Sequence, residues 1–169
     1  LALLDTGFEA VAMGEAGERE RIGRYRLLDV ARRQGMAAMA REWAPGMVHP
    51  SHRPDEQLMD EIHQMIARAT PEQFEAQLQA LLRRPDRAAL LRTLTIPTLV
   101  LCGHEDSWSP VERHEDMASR IPRSVLVDVP QCGHMCTLEQ PEIVSAALQA
   151  WLEDRPQLFS RELHPREQD

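Results

Sequence analysis

Aromatic side chains make up only 4% of this 169-residue chain, and its cysteines are confined to Cys102, Cys132 and Cys136. Three thiols, an odd number, build no disulfide framework, and this pattern suits the reducing cytoplasm. No apolar run approaches the roughly 20 residues of a membrane span; the longest are strand-sized. Positive charge is short as well. Nineteen basic residues against 27 acidic ones leave a net charge of -8, the wrong sign for gripping nucleic-acid phosphates. No internal repeat or low-complexity tract is present. The N-terminus, Leu1-Ala2-Leu3-Leu4-Asp5, has neither a basic n-region nor an initiating methionine. It therefore reads as a chain entered part-way, at a buried strand, and not as a signal peptide. What the chain does have is a 43% hydrophobic share, enough at this length for one core with a subdomain.

The periodicity of those apolar residues changes along the chain. Leu1 to Leu4 is short and uniformly apolar, the pattern of a strand buried on both faces, and Asp5-Thr6-Gly7 ends it. From about Glu15 to Leu94 the pattern is helical. Arg19 to Gln34 carries Ile22, Tyr25, Leu28 and Ala31 at three-residue steps, with Gly35 as a C-terminal cap. Met36 to Trp43 predicts a second helix, stopped by Pro45-Gly46, and Val48 to Pro54 reads as a loop. Asp55 to Ala69 places Leu58, Ile62, Met65, Ile66 and Ala69 on one face. Thr70-Pro71-Glu72-Gln73 predicts a capped helix start, with Phe74, Leu78, Leu81 and Leu82 inward. A short helix over Arg87 to Leu94 follows.

Beyond it, strands alternate with helices. Thr98 to Leu101 and Ser124 to Val129 read as buried strands. Ser109-Pro110-Val111-Glu112 predicts a capped helix lined by Val111, Ala118 and Ile121. Pro141 to Leu152 predicts another, with Val144, Ala147, Leu148 and Trp151 inward. This alternation implies a parallel sheet, so the fold class is α/β. After Asp154 the tail is polar.

Functional residues of an open parallel sheet gather just past the C-terminal strand ends. Asp106 and His134 both fall there, on loops after adjacent strands, where a carboxylate could orient an imidazole and stabilise its cation. Each has an ordinary reading too. Asp106 could be a helix-entry carboxylate near Ser109, and His134 a loop histidine after Gly133.

The order of these words resembles one family. Ile96-Pro97-Thr98-Leu99-Val100-Leu101-Cys102-Gly103-His104-Glu105-Asp106, with Pro110 beyond, is similar to the acid loop of the α/β-hydrolase superfamily. Gln131-Cys132-Gly133-His134-Met135, followed by Leu138-Glu139-Gln140-Pro141-Glu142 and a helix closing on Trp151-Leu152, resembles its histidine loop and last helix. Leu1 to Thr6 resembles the strand that follows the nucleophile helix. The resemblance implies a short parallel sheet belonging to the C-terminal part of that fold. It divides the chain into a partial core (1–14 and 95–155), a helical lid (15–94) and a polar tail (156–169). It makes Asp106 the triad acid and His134 the general base, with Asp5 as a rival acid because some members carry theirs after the first strand here. The lid would shape acyl and alcohol pockets. Of Met36, Met39, Trp43, Met47, Met59 and Met65, the pocket candidates are Trp43 and Met47, beside the Pro-Gly break, whereas core filling accounts for most of the others.

One departure is large. The family's Gly-x-Ser-x-Gly elbow and the oxyanion loop before it have no counterpart in the 169 residues. Ser107 and Ser109 lie too near Asp106 to serve, and Cys132 reads as a packing residue. Three other patterns point elsewhere. Leu3-Leu4-Asp5-Thr6-Gly7 and Ile22-Gly23-Arg24 echo aspartic proteases, which are all-β. Cys132, His134 and Cys136 alternate without zinc-motif spacing, so no metal or other cofactor is expected. His49 and His52 read as surface histidines. Two functions follow. One is a hydrolase of carboxylic esters or lactones, a Ser-His-Asp enzyme whose acid and histidine lie here and whose nucleophile lies on a complementing N-terminal portion. The other is a non-catalytic hydrolase remnant that self-associates as a homodimer, because an uncovered strand edge invites pairing.

Overall fold

A computed structural model describes residues Leu1–Arg155; the polar tail expected at 156–169 lies outside the described residues. The backbone divides into two compact units. Among the described residues the first comprises Leu1–Phe8, Met47–His52 and residues 88–155; the second comprises Glu9–Gly46 and Arg53–Arg87.

The first unit is α/β. Strands β1 (Ala2–Leu4), β2 (Thr98–Gly103) and β3 (Ser124–Val129) form a sheet in the order β1-β2-β3. Both pairings are parallel, with Leu3 opposite Val100 and Val100 opposite Leu126. All of β2 is buried, as its unbroken apolar run requires of a central parallel strand. The pleat sends alternate side chains to two cores. Leu99 and Leu101 join Val127, Val129, Val144 and Ala147 beneath helix α8 (Pro141–Leu152). Val100 joins Phe8, Leu91, Met117 and Ile121 on the opposite face. That face is covered by α5 (Ala88–Leu91) and α6 (Val111–Arg120). A one-turn helix, α7 (Cys136–Glu139), follows the third strand's loop.

Strand β1 departs from the sequence expectation. Its residues are half-buried, not fully buried. Leu3 packs on one core and Ala2 and Leu4 on the other, so both faces are partly covered. Among the described residues it pairs only with β2, which makes it an edge strand. A second correction concerns α6. Its N-cap is Pro110 and no side chain caps it, because the Ser109 hydroxyl donates to the Thr6 carbonyl instead (3.0 Å).

The second unit holds α1 (Gly14–Gln34), α2 (Met36–Trp43), α3 (Glu56–Ala67) and α4 (Pro71–Leu82). Helix α1 packs on α2 and α4, and α2 packs on α3. Gly35 ends α1 at φ 87°, a left-handed value that glycine adopts without a Cβ penalty, and its N–H donates to Ala31 (3.0 Å). The expected stripe on α1 is only half used. Leu28 and Ala31 are buried, whereas Ile22 and Tyr25 are exposed: the apolar stripe runs past the part of the helix its neighbours cover. On α3 the inner face is turned by one position, burying Met59, Ile62 and Ile66 and leaving Met65 exposed. The capping box at Thr70 forms as its sequence predicts. Gln73 N–H donates to the Thr70 hydroxyl (3.2 Å), and Thr70 N–H donates to the Gln73 side chain (2.9 Å).

Two stretches of the 15–94 segment sit with the sheet rather than with these helices. They are Met47–His52, which includes the short 3-10 turn Pro50–His52, and the residues from Ala88. Hydrogen bonds to the histidine loop hold the former there, as described below. Among the described residues no helix is long and apolar enough to cross a membrane.

The capping box generates a direct test. Thr70→Ala removes one of two reciprocal bonds at an exposed helix start and should cost about 1 kcal/mol, read as a lower urea midpoint with an unchanged slope.

Candidate active site

Parallel pairing brings the C-terminal ends of β2 and β3 side by side, and the loops leaving them meet. Gly103 ends β2. A Cβ there would fall inside the carbonyl oxygens of Gly133 and Cys132, so only glycine lets the two backbones approach this closely. His104 N–H then donates to Val129 (2.8 Å) and Glu105 N–H to Cys132 (2.9 Å). The Glu105 carboxylate accepts the Cys132 N–H in return (3.0 Å).

Asp106 follows, buried among these bonds. One carboxylate oxygen accepts the N–H groups of Trp108 (2.8 Å) and Ser109 (3.0 Å). This side-chain turn fixes the carboxylate plane. The other oxygen lies 2.7 Å from His134 Nδ1. A carboxylate accepts only, so Nδ1 carries the proton and Nε2 is left free to take one. Trp108 also lays its indole beside the imidazole, with ring centroids 5.1 Å apart.

The histidine loop is held from the other side by Glu139, whose side chain is fully buried. It accepts the N–H groups of Gly133 (2.9 Å), Met135 (3.2 Å) and His49 (2.7 Å), and lies 2.9 Å from His52 Nδ1. His134 N–H donates to the Met47 carbonyl (2.6 Å). A Cβ on Gly133 would come within 2.8 Å of backbone atoms of Met47, Val48 and His49, so this second glycine is also demanded by close approach.

Electrostatics follow from this packing. Burial opposes a charged His134. The hydrogen bond and charge of Asp106, with the charges of Asp5 and Glu139, outweigh it and hold the imidazole above its ordinary value. Burial pushes the Asp5 carboxyl up to about 6. His114, buried in α6, is driven the other way and stays neutral. It accepts Thr6 N–H at Nε2 (3.1 Å) and donates from Nδ1 to Pro110 (3.3 Å). Burial also raises the thiols of Cys102, Cys132 and Cys136, which keeps them protonated and poor nucleophiles. His104 is different. It is half exposed, and its bond to buried Asp128 (2.7 Å) raises it.

The structure thus brings Asp106 and His134 together. Asp5 does not bond the imidazole; its carboxylate accepts Gly103 N–H (2.9 Å) and Cys136 N–H (3.4 Å). Met47 enters through its carbonyl, its side chain being buried. Trp43 belongs to the helical unit, packed edge-on against Phe74 with centroids 5.4 Å apart. His49 and His52, read from sequence as surface histidines, are instead tied to Glu139. Glu139, Trp108 and His114 were not singled out in the sequence. For Glu139 the signal was a lone acid five residues past the histidine in an otherwise uncharged run. Among the described residues no group of three or more His, Cys, Asp and Glu is arranged around a metal ion.

Comparison with known proteins bears on the family and the fold. A model of the alpha/beta hydrolase family matches residues 2–147. A thermophilic esterase from Thermogutta terrifontis, solved with malate bound, superposes with a TM-score of 0.80 at 35% identity. That match covers 92% of this chain and 56% of the esterase. The enol-lactonase from Burkholderia xenovorans superposes with a TM-score of 0.75 at 17% identity, over 90% of this chain and 55% of its own; this likeness is one of fold. In sequence, the (E)-2-((N-methylformamido)methylene)succinate hydrolase of Acinetobacter baylyi is 38% identical over 60 residues. Those residues are 36% of this chain and 23% of that enzyme. The chain spans about half the length of the solved structures it resembles and less of the curated relative.

Two outcomes test the site's supports. Glu139→Gln turns an amide N–H₂ toward donors that need an acceptor. It should cost roughly 2–4 kcal/mol in denaturant unfolding and speed amide exchange at Gly133 and Met135. The His104–Asp128 pair favours the imidazolium in the folded state. Its contribution is therefore full below the ordinary value of 6.5 and fades as pH rises through the raised folded value. Asp128→Asn should return the His104 NMR midpoint toward 6.5 and flatten that part of the stability–pH curve.

Proposed function

The chain belongs to the α/β hydrolase family, and from that premise we propose that it supplies the acid and the base of a carboxylic-ester or lactone hydrolase. The observation that carries this reading is the 2.7 Å bond from His134 Nδ1 to Asp106. It fixes the tautomer and leaves Nε2 to accept a proton. In the reaction, a serine hydroxyl attacks the acyl carbon as Nε2 takes its proton. The imidazolium, stabilised by Asp106, then returns that proton to the leaving alkoxide. Water repeats the cycle on the acyl-enzyme. No Gly-x-Ser-x-Gly occurs in the 169 residues, so the serine and the oxyanion donors are assigned to residues outside this sequence. An ester or lactone substrate fits the kinds of enzyme it resembles, an esterase and an enol-lactonase.

A second reading is favoured by β1, an edge strand among the described residues: a self-associating module joined at that edge, as a homodimer. Light scattering at micromolar concentration separates the two, a stable monomer arguing against self-association.

The catalytic reading has its own test. Pairing the chain with an N-terminal α/β-hydrolase segment that carries the elbow, fused or as a separate chain, should give nitrophenyl-ester hydrolysis. His134→Ala should then lower kcat by roughly 10²–10⁴-fold. A completed protein without activity, or one indifferent to His134→Ala, overturns the assignment. Substrate contacts proposed for Trp43 and Met47 are tested singly by alanine variants. A raised KM with kcat kept is the supporting result.

A further inference from the structure

Asp5 is a buried carboxylate that the acid–base step does not use. Its backbone sits at φ 43°, a left-handed conformation uncommon outside glycine, though aspartate is among the residues that tolerate it. Its N–H donates to Leu101 (2.9 Å), which continues the β1–β2 ladder by one bond. The side chain then turns across the strand ends. One oxygen accepts the N–H of Gly103, the residue from which the acid loop leaves; the other accepts the N–H of Cys136, the first residue after the histidine loop. Among the described residues, Asp5 is the carboxylate that bonds both Gly103 and Cys136. Glu105 ties them at Cys132, through its own N–H and its carboxylate, and Glu139 ties the histidine loop to Met47–His52.

We propose that Asp5 is a positioning residue for the Asp106–His134 pair: it pins the roots of both loops, and its negative charge is a second partner for the His134 imidazolium. The inference rests on reading Asp106 and His134 as acid and base. The groups around Asp5 support it. Asp106 and His134 act on it electrostatically, and Cys136 bonds it. Cys102 and Cys132, whose thiols stay protonated, feel its charge. His134 in turn bonds Asp106 and feels the charges of Asp5 and Glu139, and it acts on neutral His114. Burial thus sets Asp5 to change charge near neutrality, at about 6. Above that value the Asp5 charge acts on His134, and below it that charge is lost.

The sign is fixed by charge. Ionised Asp5 favours the imidazolium, so His134 is the stronger base when Asp5 is charged. Asp5→Asn keeps the left-handed turn and one oxygen for Gly103 but removes the charge.

The test is an NMR titration of the histidine Cε1–H signals in the chain, with His104, governed by Asp128, as internal reference. Asp5→Asn should lower the His134 midpoint by roughly half to one pH unit and leave that of His104 in place. In the unsubstituted chain the amides of Gly103 and Cys136 should shift with a midpoint near 6. An unchanged His134 midpoint overturns the proposal, as does an equal movement of His104, which would mark a general loosening. If Asp5→Asn does not fold, the unsubstituted chain decides: Gly103 and Cys136 amides that stay flat between about pH 5 and 7 overturn it. None of these readouts requires turnover. A completed enzyme that fails to hydrolyse esters would overturn the acid–base assignment and leave the coupling intact, and a missing coupling would leave that assignment standing.

Discussion

The arrangement depends above all on one buried carboxylate that catalyses nothing. Glu139 gathers donors from two stretches of chain: His49 and His52 on one, Gly133 and Met135 on the other. Without it the loop between β3 and α7 would carry backbone N–H groups out of water with no acceptor, at a cost of about 1–3 kcal/mol for each. Its four partners explain why a charge can be fully buried here, since a lone carboxylate in the same place would be driven to its neutral form. His134 lies between two residues that Glu139 fixes and one carbonyl, that of Met47, which Glu139 brings into range. The geometry of the candidate acid–base pair is thus set by a residue that touches neither of its side chains.

A second theme is the crowding of like charge. Asp5, Asp106 and Glu139 surround a single imidazole. Burial makes that arrangement costly unless each anion is satisfied separately, and each is. Asp106 has Trp108, Ser109 and His134; Asp5 has Gly103 and Cys136; Glu139 has its four donors. Backbone N–H groups, which carry no net charge to be titrated away, do most of this work. The result is an imidazole biased toward its cation, the form a general base must reach as it takes a proton.

Much of this was legible in the sequence, and the physics says why. The unbroken apolar run of β2 admits only a strand covered on both faces. Thr70-Pro71-Glu72-Gln73 encodes its own cap, and Asp106 and His134 announce themselves by following strands. What escaped reading depends on three-dimensional neighbours. Ile22 and Tyr25 share a stripe with Leu28, but nothing along the chain says where its coverage stops. Ser109 has the local signature of a cap, yet Thr6, more than a hundred residues away in sequence, claims its hydroxyl. Glu139 looks like an ordinary acid until His49, 90 residues distant, is in place, and Asp5, read as a rival triad acid, shows its loop-tying role only beside Gly103, 98 residues on. Strand β1 reads as a buried strand by composition, whereas burial is decided by what stands beside it.

Trp108 has a consequence of a different kind. Its indole rests 5.1 Å from the His134 ring at a 44° tilt, close enough for an imidazolium to interact with the aromatic face. Protonated imidazole is an efficient quencher of indole emission, and neutral imidazole a poor one. The pair therefore contains its own optical gauge: the brightness of one tryptophan reports, without label or substrate, whether the neighbouring base is loaded or empty.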